Sequence, residues 1–411
     1  MHLPIDTNGR LSPVRGACPH DGPDTCAPLT TVDNGGAIRG QGKPGHRHSD
    51  PRPRARLAPL LFAAAALLAL PGCSSRLTGP GYYWQSVSGH LALMNAARPL
   101  DDWLHDPATP APLRQRLQAA RDIRRYAAKA LALPDNPSYT RYADLGRRAA
   151  VYNVVAAPEF SLQLHRWCFP VTGCIGYRGY FDETDAQAFA ARLASDLEVA
   201  VYPVPAYSTL GWTNWLGGDP LLNTFIGYPE GELARLVFHE LAHQQLYVRD
   251  DTSFNESFAT AVERLGGARW LRERASDDAR QAFNEFQQRR LAFRELTGHT
   301  RAQLAALYDM PDLADAERRA QKAAIMNAFR AGYARLRERW GRWPGYDRWV
   351  AQANNALFGA QTVYDEWVPA FEALFEREGR DFAHFYAAAR QLAGLPAEER
   401  KAALTALLPG G

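Results

Sequence analysis

FHELAHQQLYVRDDTSFNESFA, residues 238–259, places two histidines four residues apart and a glutamate a short loop later. In a helix, side chains four residues apart lie on one face, so His239 and His243 can hold one metal ion between them. Glu240 is rotated from His239 by about 100° around the helix axis. It can therefore reach a water molecule without being a ligand. The pattern predicts two metal ligands and a general base on one helix.

The residues before the motif extend this helix toward the N-terminus. The segment YPEGELARLVFHELAHQ begins with a proline and two glutamates, which are favoured at the positive end of a helix. An exposed polar pair is the alternative role for the histidines. The apolar neighbours argue against it, because buried histidines and a buried carboxylate are costly without a partner. The predicted core row of the helix is Leu233, Val237 and Leu241.

The second half of the stretch predicts another helix, which begins near Ser253. Glu256 lies off the apolar row of this helix and can supply a third ligand. The alternative is a capping box, because Ser253 and Glu256 have the required spacing. A capping role for Glu256 would not explain why Asn255 precedes it. It would also not explain the small Ala259, which lets the two helices approach each other. The predicted core row is Phe254, Phe258, Val262 and Leu265.

Two imidazoles and one carboxylate form a known zinc ligand set that leaves a fourth position for water. The sequence therefore predicts Zn²⁺ held by His239, His243 and Glu256. Glu240 is the predicted general base. A structural zinc site is the alternative, but such a site has no need of the base.

Composition narrows the class of protein. The chain has 411 residues, 46% hydrophobic and 22% charged, with a net charge of +3. These values are ordinary for a globular protein. The charge is too small for a nucleic-acid surface and no basic stripe recurs, so the sequence predicts no nucleic-acid partner.

The N-terminal part divides into two segments. Residues 1–51 are rich in Gly, Pro, Asp and His, which predicts disorder; a misplaced translation start would explain them. Residues 52–72 combine three arginines, a short apolar run and LPG before Cys73, as a signal peptide does.

LPGC resembles the lipobox of bacterial lipoproteins, in which the cysteine is acylated. We therefore expect a lipid anchor at Cys73, with an ordinary secretory signal as the alternative. Ser74 after the cysteine favours the outer membrane, facing the periplasm.

Cys168 and Cys174 remain after the N-terminal segments are set aside. One cysteine pair in an exported protein predicts a disulfide. Pro170 and Gly173 favour the tight turn that such a short loop requires. A metal role for the pair lacks further ligands.

The remaining chain, residues 73–411, reads as one domain. Apolar spacing predicts helices over 83–97, 112–132 and 184–197, and a nearly all-helical region after residue 230. Three segments rich in Val, Tyr and Thr predict strands, one before the helix over 184–197 and two after it. We expect an α+β, predominantly helical fold, with the sheet and the metal-binding helices at about 150–266. The strand segments are AAVYNVVAA, EVAVYPV and AYSTLGWT.

HELAH followed by NESFA resembles the gluzincin metallopeptidases, whose second motif supplies the third zinc ligand. The interval of about a dozen residues is shorter than theirs, so the connecting loop must be tight. A wider set of motifs resembles the bacterial lipoprotein family described as putative aminopeptidases. The resemblance covers most of the chain and implies a zincin-like metallopeptidase with a peptide substrate and a small β-sheet before the HExxH helix. The motifs are YYWQSVSGHL, RWCFPVTGC, YRGYFDE, AYSTLGW, FHELAHQ and NESFATAVE.

The resemblance also implies substrate contacts. Related peptidases stabilise the oxyanion with a Tyr or His, and Tyr364 is our candidate because it follows a polar Asn-Asn pair in the helical half. AYSTLGW corresponds to the edge strand that pairs with substrate in such enzymes. Its alternation places Tyr207, Thr209 and Gly211 on one side.

An aminopeptidase must also bind the α-amino cation of its substrate, for which a carboxylate near the metal is the natural partner. Glu263 is the first candidate, because it lies two helical turns after Glu256. Glu230, Glu232 and Asp219 are further candidates. The expected function is zinc-dependent peptide hydrolysis by an aminopeptidase. A zinc endopeptidase and a non-catalytic envelope lipoprotein with structural zinc are the alternatives.

Overall fold

Helices form most of the part of the chain that the computed structural model describes, residues 79–169, 173–206, 217–361 and 366–408. The helices, in chain order, are α1 (Pro80–Ala96), α2 (Leu100–His105), α3 (Ala111–Ala130), α4 (Glu183–Ala190), α5 (Glu230–Gln245), α6 (Thr252–Glu273), α7 (Asp277–Tyr308), α8 (Asp315–Arg339), α9 (Asp347–Ala351), α10 (Asn355–Ala360), α11 (Val368–Arg377), α12 (Phe382–Ala393) and α13 (Ala397–Thr405). Residues 1–78 lie outside the described part, and with them the predicted disordered segment, the signal peptide and Cys73.

The strands of the described part are two to eight residues long and all precede α5. They are β1 (Arg98–Pro99), β2 (Arg141–Ala143), β3 (Val151–Pro158), β4 (Trp167–Phe169), β5 (Gly173–Ile175), β6 (Arg178–Tyr180), β7 (Leu197–Val204) and β8 (Leu221–Leu222). This arrangement confirms an α+β fold that is mainly helical, with the sheets before the HExxH helix.

The main sheet has β3 at its centre, paired antiparallel with β6 on one side and β7 on the other. The long β3–β7 register runs from Val151 opposite Val204 to Pro158 opposite Leu197. Residues 151–157 are all buried, so both faces of β3 are covered. A second small sheet has the order β1-β2-β8, with β2 and β8 parallel.

The predicted helix over 184–197 is too long. In the structure α4 ends at Ala190, and Leu197 already belongs to β7. Asp182 caps the helix by accepting hydrogen bonds from the backbone N–H groups of Thr184 and Asp185 at 2.8 and 3.1 Å. Pairing of β7 along β3 satisfies the backbone groups that a longer helix would have used, so the strand prevails at the boundary.

Cys168 and Cys174 form a disulfide across the β4–β5 hairpin, where they occupy directly opposite positions. This agrees with the expectation from sequence. The two cysteines lie on the two neighbouring strands of the hairpin. Residues 170–172, which connect these strands, lie outside the described part.

The core rows predicted for the two site helices are buried, except that Leu265 is half-buried. Aromatic side chains of α11 and α12 cover α6: Phe254 meets Phe371 edge-on at 5.1 Å between ring centroids, and Phe258 stacks on Phe385 at 5.7 Å. The C-terminal helices therefore hold α6 against α5. Within the described residues, no helix combines the length and apolarity that crossing a membrane requires.

Candidate metal centre

Helix α5 carries the histidine motif on a buried segment. Its residues from Gly231 to His243 are all buried. Leu233, Val237 and Leu241 point into the core, which fixes the rotation of the helix. His239, Glu240 and His243 are consequently held at 2–5% exposure.

Helix α6 brings Glu256 to the two histidines. His239 Nε2 lies 3.2 Å from His243 Nε2 and 3.4 Å from Glu256 Oε2. His243 Nε2 lies 3.6 Å from Glu256 Oε1. The possible ligand atoms of the three residues all lie within 4.8 Å of one another, so this buried group could hold a metal ion.

The loop between the helices is held by Asn255 and Asp251. Asn255 accepts a hydrogen bond from the Val248 N–H at 2.7 Å and donates one to the Val248 carbonyl at 2.6 Å. Asp251 accepts from the Phe254 N–H at 3.0 Å, and therefore caps α6. The short connection works because these two side chains satisfy its backbone polar groups. Asn255 thus fixes the first turn of α6 against the loop, and with it the position of the neighbouring Glu256.

The capping box proposed for Ser253 and Glu256 is wrong. Asp251 is the cap, and Ser253 already lies inside the helix. Glu256 is turned toward the histidines instead of the helix start. The capping role therefore no longer competes with the ligand role for this glutamate.

Glu263 stands behind His239. Its Oε2 atom lies 3.0 Å from His239 Nδ1, and its Oε1 atom is paired with Arg235. Burial acts to raise the pKa of Glu263, but Arg235, the contact with His239 and more distant Arg290 together hold that pKa well below its usual value. Glu263 is therefore a carboxylate.

This contact determines which nitrogen of His239 faces the metal position. A carboxylate only accepts, so the proton of the neutral imidazole belongs on Nδ1, beside Glu263. Nε2 then presents a lone pair toward His243 and Glu256. Two imidazoles and a carboxylate that converge in this way fit the ligand chemistry of zinc.

The same contact corrects the role expected for Glu263. A carboxylate already shared by His239 and Arg235 is not placed to bind a substrate amine. The two other helix-start glutamates are also engaged. Glu230 accepts from the Trp270 indole N–H at 2.9 Å, and Glu232 is salt-bridged to Arg235 and Arg290.

Sequence reasoning missed the cations of this cluster. Glu232 Oε1 lies 3.4 Å from Arg235, and its Oε2 lies 2.8 Å from Arg290 of α7. Together with Glu263, these charged side chains form a largely buried chain behind His239. A Cβ at Gly267 would lie 2.6 Å from Arg235 Cγ, and this glycine therefore makes room for the arginine. The signal in the sequence was the spacing of Glu232, Arg235 and His239 along one face of α5.

The Asn-Asn pair that drew attention to Tyr364 has a structural role. Asn354 caps α10 and donates to the Val199 carbonyl at 2.9 Å. Asn355 is fully buried and donates to the carbonyls of Pro158 and Glu159 at 3.0 and 2.7 Å. The pair ties the helical half to the end of the main sheet. The catalytic role of Tyr364 stays a prediction. The other sequence-predicted site residues that lie outside the described part are Tyr207, Thr209, Gly211 and Tyr364 itself.

Comparison with known protein families assigns the chain to one family. The family described as putative aminopeptidase matches residues 81–404, from α1 to the end of α13. The chain belongs to this family. The matched range includes all the residues of the candidate metal centre. No curated protein and no solved structure matches the chain.

Proposed function

We propose that this protein is a zinc-dependent aminopeptidase of the gluzincin type, held in the bacterial envelope by lipid on Cys73. The observation that carries the proposal is the convergence of His239, His243 and Glu256, with Glu240 on the same buried helix. Membership of the putative aminopeptidase family supports a peptidase activity. The segment before Cys73, which resembles a lipoprotein signal peptide, supports a location in the cell envelope.

Each residue has a distinct task in this proposal. When bound, zinc polarises the scissile carbonyl and lowers the pKa of water toward neutrality. His239, His243 and Glu256 hold the ion. Glu240 accepts the proton of the attacking water and passes it to the leaving amine. Burial of this carboxylate keeps bulk water from competing for its proton.

Glu263 is a positioning residue, because it acts through His239. The Glu263 carboxylate keeps the proton on Nδ1 and fixes the ring plane, and Arg235 and the Glu232–Arg290 pair hold that carboxylate in turn. Replacing such a partner of a ligating histidine typically costs about 10- to 100-fold in metal affinity or activity.

Glu263→Gln is therefore expected to weaken zinc binding by about 10- to 100-fold, because the amide no longer carries the charge that orients His239. The measurement is the zinc Kd by competition with a chromophoric chelator, with circular dichroism to confirm folding. Glu273→Gln is the matched control, since Glu273 lies on the same helix but pairs with Tyr126 and Arg269. A folded Glu263→Gln protein with the wild-type zinc Kd would contradict the positioning role.

The choice of an aminopeptidase over an endopeptidase predicts a requirement for a free substrate N-terminus. We expect N-acetylation of a peptide to lower kcat/KM at least about tenfold, which corresponds to roughly 1.4 kcal/mol of transition-state binding. The measurement compares one peptide with its acetylated twin under identical conditions, with products identified by mass. Equal rates with cuts at internal bonds would instead identify a zinc endopeptidase.

A further inference from the structure

Helix α1 exposes an apolar stripe to solvent. Tyr83, Trp84, Val87 and Leu91 are 43%, 67%, 53% and 46% exposed. They fall within about 100° around the helix axis, so they form one continuous stripe. No Asp, Glu, Lys or Arg occurs anywhere in the 17 residues of α1.

This stripe stands out among the described residues. Of the seven large apolar side chains that are exposed there, four lie on α1. The other three are Tyr247, Leu291 and Met310, which are scattered over the inter-helix loop, the middle of α7 and its C-terminal end. Single exposed apolar residues need no explanation, whereas a clustered stripe on an uncharged helix indicates a binding surface.

The opposite face of α1 is fixed to the main sheet, so the stripe cannot turn inward. The Arg178 guanidinium lies 4.0 Å above the Tyr82 ring. Gln85 donates to the Gly179 carbonyl at 3.3 Å and accepts from the Phe181 N–H at 3.2 Å. A Cβ at Gly89 would lie 2.3 Å from the Phe181 ring, so this glycine permits the close contact.

The position of α1 along the chain indicates what covers the stripe. The helix begins at Pro80, and only six residues separate Cys73 from it. Seven residue steps span at most about 25 Å when fully extended. A lipid at Cys73 therefore keeps the start of α1 close to the bilayer surface. Trp and Tyr favour the interface between acyl chains and water, and the absence of charge removes the cost of burying ions there.

We propose that the stripe of Tyr83, Trp84, Val87 and Leu91 lies on the phospholipid membrane and orients the domain there. The proposal rests on the lipid anchor of the proposed function. A bilayer fits the stripe better than a protein does, because four side chains form a small patch beside the roughly 800 Å² per partner of a stable protein interface.

The test uses the full chain, processed and lipidated in cells, and reconstituted into vesicles of phosphatidylethanolamine and phosphatidylglycerol. The vesicles carry either ordinary or brominated acyl chains, which quench nearby tryptophans. The fluorescence of Trp84 is obtained by subtracting the emission of the Trp84→Phe variant from that of the wild type. We expect brominated lipid to remove most of it. The emission of Trp343, obtained in the same way from Trp343→Phe, should change little, because that ring packs against Phe286 and Tyr346.

A second variant tests the stripe without removing the probe. Val87→Ser with Leu91→Ser should restore much of the Trp84 emission in brominated vesicles, whereas Leu291→Ser, at an equally exposed position on α7, should not. If the chain stays with the vesicles but brominated lipid does not quench Trp84, the membrane contact is overturned and the lipid anchor is not. A protein partner or a second copy of this chain then becomes the better candidate to cover the stripe.

The anchor is tested separately in the same preparation. Labelled palmitate should enter the wild type and not Cys73→Ser. A chain that takes up no palmitate and leaves the vesicle fraction overturns the anchor and the membrane contact together. Zinc content and peptide cleavage of the preparation report on the metal centre independently of both.

Discussion

Glu240→Gln is expected to lower kcat/KM by about 10²- to 10⁴-fold, the usual contribution of a general base, while the zinc content stays at one ion per chain. The amide has the size of the carboxylate but cannot accept a proton from water. The ligands are untouched, because Glu240 is not one of the three residues that converge on the metal position. The measurement pairs metal analysis with steady-state cleavage of an unblocked peptide.

The control for this variant is Glu230→Gln, which makes the same chemical change on the same helix. Glu230 accepts a hydrogen bond from Trp270, away from the three converging ligands. Full turnover by a zinc-loaded Glu240→Gln protein would remove Glu240 from the mechanism. If the wild type also holds zinc but cleaves no peptide in a broad panel, a structural zinc site is the better description.

Glu256→Ala is expected to remove most of the bound zinc, with a loss of affinity beyond the about 10- to 100-fold typical of residues that only orient a ligand. Only the two imidazoles would then remain of the three converging ligands. Because zinc binds the folded chain, its loss should also lower the Tm measured in the presence of zinc. The measurements are zinc per chain after dialysis and thermal unfolding with and without added zinc.

Ser253→Ala is the matched comparison for Glu256→Ala. A true cap at Ser253 would cost about 0.5–2 kcal/mol when truncated. Since Asp251 provides the cap, we expect Ser253→Ala to cost less and to keep its zinc. A Glu256→Ala protein that retains one zinc ion with unchanged affinity would show that the ligand set lacks this glutamate.

Features that depend on local spacing could be read from the sequence. The i, i+4 spacing of His239 and His243 gives adjacent side chains in any α-helix, whatever surrounds it. The apolar rows of α5 and α6 follow from the same periodicity, and the turn residues Pro170 and Gly173 already favoured the pairing of the two cysteines. Apolar spacing did not predict the end of α4, because this helix stops where the following residues pair with β3 as strand β7.

The partners of the polar side chains depended on contacts between distant segments. Glu263 has the spacing of an ordinary helix-surface residue, yet the packing of α6 on α5 places it 3.0 Å from His239. Asn355, almost 200 residues from Pro158, joins the helical half to the sheet.

For these residues the sequence alone determined the helix and the face on which each side chain lies. Which group that face meets was decided only by the tertiary structure. A carboxylate or an amide is compatible with water, a cation, a histidine or a backbone group, and burial forces it to pair with whichever of these the packing brings within reach.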